Sequence, residues 1–500
     1  MYTQICKNQA VQGYIRKDLF LEEWKMLNTL NDVLNNVDNF IWGMPLIILI
    51  LFTGILLTVR LRGLQIRHLG KALHYVFHNE DDGEGEVTSF GALCTALSAT
   101  IGTGNIVGCA TAIVAGGPGA LFWMWLAAFF GMATKYAEGM LAVKYRVIAE
   151  DGHALGGPFY YIEKGMGKNF KWLAKLFCVF GTMVGLFGIG TFTQVNGITS
   201  AVNNFFDPSN VHTISLFGMN YSISVVVAGI IVTICAGLVI IGGIKRISKV
   251  SEVIVPFMAV TYIGVCLIIV FTHLPQVPAA FAEIVQSAFG LKAVAGGAIG
   301  AMTVAMQKGI ARGIFSNEAG LGSAPIAAAA AQTNEPVRQG LVSMTGTFID
   351  TIIVCTMTGL AIVMTGAWDM GLEGVAVTTK AFALGLPFPA KASAFVLMMC
   401  LVFFAFTTIL GWAYYSERCL EYLVNGKKFV ITAFKWFYIL AVFIGPFMTV
   451  SAVWTIADIC NGLMAFPNLV ALLALNGDVV SETRGYLERV GIVKTTVGEA

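Results

Sequence analysis

The chain has 500 residues, of which 57% are hydrophobic and 12% are charged, and its formal net charge is +2. The charged fraction is about half of the roughly 25% usual in soluble domains, so much of the surface must face hydrocarbon. No dense basic stretch could neutralise phosphates, which excludes a nucleic acid as partner.

The first 37 residues are predicted to form a polar tail of mixed charge. This tail lacks an apolar segment followed by a small-residue cleavage site, so it does not resemble a secretion signal. The first membrane span would therefore direct insertion. Translation could instead begin at Met26, because the sequence from there runs directly into that span.

Apolar runs of about 20 residues are long enough to cross a bilayer core as helices. Lipid cannot satisfy backbone polar groups, so such runs indicate helices rather than strands. We therefore predict an all-α polytopic membrane protein, whose transporter domain covers residues 38–478 and whose cytoplasmic tail covers 479–500. Its eleven spans lie near 40–59, 88–114, 118–143, 172–204, 221–243, 250–272, 294–330, 339–366, 391–414, 430–446 and 448–475.

Lysine and arginine are concentrated in alternate loops. If the N-terminus is outside, the outward loops contain only Lys292, Lys380 and Lys391, and the inward loops contain most of the other loop charges. Positive loops favour the cytoplasmic side, which predicts an outside N-terminus and a cytoplasmic C-terminus. The positive charges of the N-terminal tail conflict with this orientation, and a start at Met26 would remove the conflict.

The second and seventh spans are interrupted by glycine and polar residues, at 98–105 and 313–323. In the predicted topology they run in opposite directions. They lie five spans apart, so spans 2–6 (about 88–272) and 7–11 (about 294–475) are predicted to be two inverted repeats, with the first span outside the repeat. Matching interruptions in two such halves indicate a substrate site near the membrane midplane.

A broken membrane helix leaves backbone N–H and C=O groups that a ligand can satisfy. Helix N-termini suit a carboxylate and exposed carbonyls suit a hard cation, so an amino acid entering with sodium satisfies both. Gly102 and Gly104 would let the backbone turn, and Thr103 and Asn105 would add side-chain oxygens. The alternative for this stretch is close helix packing through small residues.

In the seventh span, Phe315, Ser316 and Asn317 would offer a wall and two oxygen donors. For the adjacent Glu318, an ion pair with Arg312 is favoured over binding of a substrate amine, because charges at this depth usually have a partner.

Other polar side chains inside the predicted spans allow two interpretations each. Gln194 and Asn196 could line the site or bridge helices, and lining is favoured for Gln194. A hydroxyl pair in span 9, Thr407 and Thr408, is too common a feature to be specific by itself, since threonine often bonds back to its own helix.

The remaining aspartate, histidine and cysteine side chains do not indicate a bound metal ion. Asp350 and Asp458 could relay ions, although structural pairing explains them equally well. His153 and His273 lie in loops or at the interface, so neither supports a metal site or a proton relay. The ten cysteines lack CxxC spacing and are predicted to be unpaired thiols.

Three motifs resemble the bacterial and archaeal alanine or glycine:cation symporter family, also called sodium:alanine symporters. They are the runs at 99–106, 116–125 (GGPGALFWMW) and 313–325. The similarity covers about 38–478. It implies the five-plus-five inverted-repeat fold of the leucine transporter preceded by one helix, a sodium ion or in some members a proton as coupling ion, and a prokaryotic plasma membrane, the inner one in a Gram-negative cell.

The resemblance also implies roles at the substrate. The stretch from Gly102 to Asn105 would cradle the carboxylate, with the Thr103 and Gly104 amides as donors, and Trp412 would be an aromatic lid. The full set implied at the substrate is Gly102, Thr103, Gly104, Asn105, Gln194, Phe315, Ser316, Asn317 and Trp412.

Two sodium positions follow from the same resemblance. Asn105 and the Thr100 carbonyl would meet an ion adjoining the substrate. The residues implied at a second ion are Ser98 and Ile101, through their carbonyls, and Thr407 and Thr408.

The expected function is therefore alternating-access import of a small neutral amino acid, alanine or glycine, with sodium. Proton coupling, or a D-amino acid, serine or glutamine as substrate, are the alternatives within the same fold. A channel or non-transporting sensor is less favoured, because channels use rings from repeated subunits and both breaks here lie in one asymmetric chain. No enzyme motif is present, and neither an organic cofactor nor an obligatory protein partner is indicated.

Overall fold

The structure is a computed structural model that describes residues 29, 31–78, 83–149, 152–216, 219–291, 297–448 and 451–491. The alternative start at Met26 and the outward-loop Lys292 lie outside the described residues.

Helices form nearly all of the described chain. They are α1 (31–41), α2 (Met44–Arg60), α3 (Leu64–Arg67), α4 (Leu69–Phe77), α5 (Ser89–Thr100), α6 (Cys109–Gly116), α7 (Gly119–Lys144), α8 (Pro158–Tyr161), α9 (Lys171–Phe187), α10 (Phe192–Phe206), α11 (Ile223–Ile240), α12 (Gly243–Thr272), α13 (Val277–Ala288), α14 (Ala298–Asn317), α15 (Pro325–Ala328), α16 (Pro336–Thr347), α17 (Thr356–Thr365), α18 (Val375–Gly385), α19 (Ala390–Leu423), α20 (Lys428–Ile444), α21 (Ser451–Ala474) and α22 (Asn476–Arg489).

Shorter elements connect these helices. The π turns are Gly104–Gly108, Ile162–Met166 and Phe348–Cys355, and the 3-10 turns are Lys168–Phe170, Leu274–Gln276, Ala367–Asp369 and Gly445–Phe447. Two antiparallel hairpins pair β1 (Val147–Ile148) with β2 (Ala154–Leu155) and β3 (Thr213–Leu216) with β4 (Met219–Ser222).

Eight helical segments of the described chain are long and apolar enough to cross a membrane, and nine if α5 and α6 form one bent span. This confirms the all-α polytopic class, whereas the count of eleven spans and the inverted repeat stay predictions. The expected spans 118–143 and 294–330 contain the helices α7 and α14 but are not among the nine. Most of α7 is buried against other helices, and α14 presents Gln307, Lys308 and Arg312 to a cavity, so neither needs a wholly apolar surface.

The two broken helices lie side by side in the interior. The first bends by 53° between α5 and α6. The half-helix α6 packs on α14 while α5 packs on α15, so the two broken helices are antiparallel and their breaks adjoin. Contacts with α7, α16 and α19 enclose the pair.

The predicted span 172–204 has a break of its own between α9 and α10. The close approach of neighbouring helices accounts for it: a Cβ on Gly188 would lie 2.1 Å from Ala457 Cβ, and one on Gly190 would lie 2.6 Å from Trp412 Cβ. The Tyr438 hydroxyl donates to the Gly190 carbonyl at 2.7 Å and satisfies one of the freed backbone groups. α10 starts directly after this break.

The region predicted as a cytoplasmic tail begins with a docked helix. In α22, the Thr483 hydroxyl lies 2.6 Å from that of Tyr136 on α7, and the Tyr486 hydroxyl lies 2.6 Å from that of Tyr75 on α4. This helix therefore packs on the transporter domain.

Candidate functional site

The first break is shaped by two glycines and an asparagine. Gly102 N–H donates to Asn105 Oδ1 at 2.9 Å, and Asn105 N–H donates to the Gly102 carbonyl at 3.3 Å, so the unwound turn is closed on itself. A Cβ on Gly102 would lie 2.5 Å from Thr408 Oγ1. Glycine is therefore required for α19 to approach the break.

Gln194 reaches the same turn from α10. Its Oε1 accepts from the Thr103 N–H at 3.4 Å, and both side chains are buried. The amide that the resemblance assigns to a substrate carboxylate thus has a polar side chain as its partner here. Asn196 behaves differently: its Nδ2 donates to the Gly445 and Met448 carbonyls at 3.0 and 3.2 Å, which makes it a bridge between elements.

The second break starts where α14 ends. Glu318 has the left-handed backbone conformation (φ 55°), and Asn317 Oδ1 accepts from the Ala319 N–H at 2.9 Å, which turns the chain away from the helix axis. Phe315 and Ser316 face the first break, since a Cβ on Gly104 would lie 3.6 Å from each of them. The predicted wall residues therefore adjoin the predicted cradle.

Asp350 joins the two breaks. Its Oδ1 accepts from Asn105 Nδ2 at 2.6 Å, and its Oδ2 accepts from the Ser316 hydroxyl at 2.9 Å and from the Thr351 hydroxyl at 2.7 Å. The side chain is fully buried on the π turn Phe348–Cys355. A carboxylate beside hydroxyl oxygens is donor chemistry that hard cations prefer. From the sequence, Asp350 could serve as an ion relay or in structural pairing, and its position inside an apolar span was the available signal.

The expected ion pair between Glu318 and Arg312 is wrong. Glu318 Oε1 accepts from Trp412 Nε1 at 3.0 Å, and Oε2 accepts from the Ser323 hydroxyl at 2.5 Å. Arg312 instead lies over the Phe315 ring, 5.6 Å from its centroid. The left-handed turn at Glu318 explains the difference, because it directs this carboxylate into the core while Arg312 stays on the face of α14 that borders a cavity.

That cavity has a volume of about 310 Å³ and Phe315 in its wall. Positive and negative side chains both line it. The charged residues among its lining are Asp38, Lys308, Arg312 and Asp458.

A further carboxylate, on α7, holds the second break and was missed by the sequence analysis. Glu138 Oε1 accepts from the Gly320 N–H at 3.1 Å and from Asn468 Nδ2 at 2.6 Å, and Asn468 also donates to the Gly320 carbonyl at 2.9 Å. The signal was again a charge inside a predicted span, since Glu138 and Lys135 both fall within 118–143. Both are buried.

The residues implied at the second sodium lie on α19 and at the end of α5, and these two helices pack against each other. The Thr407 and Thr408 hydroxyls each donate to the Phe404 carbonyl at 3.0 Å, which leaves their oxygens able to accept a cation. Ser98 and Ile101 are fully buried on the facing end of α5. The Thr100 hydroxyl bonds back to the Ala96 carbonyl at 3.2 Å.

Across the described residues, no group of three or more histidine, cysteine, aspartate or glutamate side chains could hold a metal ion. His153 lies 3.3 Å from Glu86 and 3.5 Å from Glu421, and the nine described cysteines are free thiols.

Comparison with known proteins gives the same class. The model of the sodium:alanine symporter family matches residues 27–497. An uncharacterized transporter of Haemophilus influenzae is 55% identical over 466 residues, which cover 93% of this chain and 98% of that protein. The sodium/alanine symporter AgcS of Methanococcus maripaludis is 46% identical over 464 residues, 91% of this chain and 97% of that protein.

Among solved structures, that of MhsT in complex with L-phenylalanine covers 80% of this chain and 93% of its own, with a TM-score of 0.55 and 12% identity. This likeness concerns the fold alone. The match to the family model, which spans nearly the whole chain, decides the class: the chain belongs to the sodium:alanine symporter family and is a multi-pass, cation-coupled amino acid symporter, not an enzyme.

Proposed function

We propose that this symporter imports a small neutral amino acid, alanine or glycine, together with sodium through a site between the two breaks. The observation that carries the proposal is Asp350, which bonds to Asn105 on one broken helix and to Ser316 on the other. A sodium ion bound at the Asp350 carboxylate would hold both half-helices in one arrangement. Its release would free them, which couples the ion to the movement of the breaks.

The substrate would lie against the first break. Its carboxylate would meet the Thr103 and Gly104 amides, and Gln194 would give up the Thr103 amide on binding. Phe315 adjoins Gly104 and would limit the size of the substrate side chain. The remaining proposed contacts are Gly102, Asn105, Ser316, Asn317 and Trp412.

Two ion positions are proposed. The first combines Asp350 and Asn105 with the Thr100 carbonyl. The second lies where α5 meets α19 and uses the residues Ser98, Ile101, Thr407 and Thr408. The protein would sit in a prokaryotic plasma membrane with its N-terminus outside and its C-terminus in the cytoplasm.

Uptake of labelled alanine into proteoliposomes tests the function. We expect uptake to require external sodium and to fall to background when choline replaces it, because choline cannot be coordinated by the oxygens around Asp350. A panel of glycine, serine, D-alanine and glutamine as competitors identifies the preferred substrate. Uptake that is indifferent to sodium would contradict the proposal.

Proton coupling is the second candidate. Asp350 supports it, because a buried carboxylate can take up and release a proton. A neutral amide at the same place could not carry a proton. Uptake that persists in choline and collapses with a protonophore would select this alternative.

A further inference from the structure

Lys135 of α7 is a buried ammonium group without a direct partner in the described part of the chain. Its side chain is 3% exposed, and its Nζ makes no hydrogen bond and no ion pair. Charged groups at such depth usually have a partner or face a cavity. A lysine with a purely structural role would be expected to form a hydrogen bond or an ion pair. The lack of either at Lys135 therefore needs an explanation.

The surroundings of Lys135 are polar. It lines a small cavity with Thr100, Gln339 and Ser343, and the cavity volume of about 10 Å³ is the space of about one water molecule. Neither the Nε2 nor the Oε1 atom of the buried Gln339 amide has a partner among the described residues. A water between Lys135 and Gln339 would satisfy both.

The ammonium is also within electrostatic range of carboxylates in the core, although none of them forms an ion pair with it. A Cβ on Gly131, one turn earlier on α7, would lie 2.9 Å from Ala319 Cβ and 3.7 Å from Thr347 Cγ2. Helix side chains lean toward the N-terminus, so the Lys135 side chain extends over this turn, between the second break and the turn before Asp350. It interacts electrostatically with three carboxylates, those of Glu138, Glu318 and Asp350.

One ammonium among three carboxylates leaves negative charge that a transported cation can compensate. When sodium leaves, the remaining charge is buried and costly unless another cation approaches. Lysine has a flexible four-carbon stem and a compact charge, and this one is not tied to any described partner. Rotations about the bonds of such a stem would shift the ammonium when the charge near it changes.

We propose that Lys135 is a tethered counter-ion whose ammonium compensates Asp350 while the carrier returns without sodium. This rests on the proposed function. It makes Lys135 necessary for the return of the empty carrier, whereas the loaded carrier, which holds its own sodium, does not need it.

Lys135→Met tests the proposal through two modes of transport. Net uptake into vesicles free of alanine and sodium needs the empty carrier to return, whereas exchange, with alanine and sodium on both sides, does not. We expect net uptake to fall by about tenfold or more, because the empty core keeps an uncompensated charge, and exchange to stay within about twofold of wild type. Lys144→Met is the matched control on the same helix, since Lys144 forms a partly exposed ion pair with Glu482 at 2.9 Å, and it should leave both modes unchanged.

Equal losses of net uptake and exchange, or no loss of either, would overturn the proposal. Lys135→Arg gives an independent test if the Met variant does not fold, because arginine keeps the positive charge. An Arg variant that catalyses exchange but not net uptake would also overturn the proposal. A wild-type protein without cation-dependent uptake would defeat the proposed function itself, and so the two failures are distinguishable.

Discussion

Asp350 shows how a residue gains its role from neighbours that are distant in sequence. Asn105 is 245 positions away, and Ser316 is 34 positions away. The Gly102–Asn105 turn could be predicted from the sequence, because glycine and polar residues inside an apolar span interrupt a helix. The role of Asp350 stayed open at the level of sequence, because the role proposed for it depends on three donors that only the packing of three elements brings together.

At this residue we expect Asp350→Asn to raise the half-saturating sodium concentration of alanine uptake by about tenfold or more. The change keeps the size of the side chain but removes the negative charge and one of two acceptor oxygens. Asp369→Asn is the control, since Asp369 lies exposed on a short turn. An unchanged sodium dependence in Asp350→Asn would place the ion elsewhere.

Arg146 links two elements that are distant in sequence. It follows α7, and its guanidinium donates to the Ala329, Ala331 and Thr333 carbonyls at 3.0, 2.6 and 2.8 Å. The segment after α15 also pairs with the chain before α5, where the Glu86 N–H donates to the Ala330 carbonyl at 2.8 Å. The chain before α5 is thus joined to the chain after α15, so one end of each broken helix is tied to the other.

Arg146→Met should therefore destabilise the protein by about 3 kcal/mol, because buried carbonyls lose a charged donor. The readout is the unfolding midpoint of the purified protein in detergent. Arg246→Met, which removes one exposed bond to the Leu238 carbonyl, should change it little. Equal midpoints for the two variants would show that the link carries no stability.

The breaks illustrate what can be predicted at the scale of elements. Those at 98–105 and 313–323 are rich in glycine and polar residues and were predicted. The break between α9 and α10 was not, because Gly188 and Gly190 lie among apolar residues and the cause is the approach of Ala457 and Trp412. The partners of the charged residues in α7 were likewise unpredictable without knowing which helices enclose it.

For the whole molecule, ligands that bind only the folded state must stabilise it. Sodium and alanine together, at about 100 times their dissociation constants, should raise the free energy of unfolding by about 2.7 kcal/mol for each bound ligand. We expect either alone to give less than half of the joint effect, because the proposed sites adjoin. Thermal unfolding in sodium and in choline checks this, and equal stabilisation by choline would contradict the ion site.

The docking of α22 has a practical consequence for anyone who builds fusions of this protein. A reporter joined at residue 475 would remove the hydroxyl partners of Tyr75 and Tyr136 and uncover a face of α7. A reporter joined after residue 491 would leave those contacts in place. The position of the junction, rather than the bulk of the reporter, should then decide whether the tagged protein is recovered intact from the membrane.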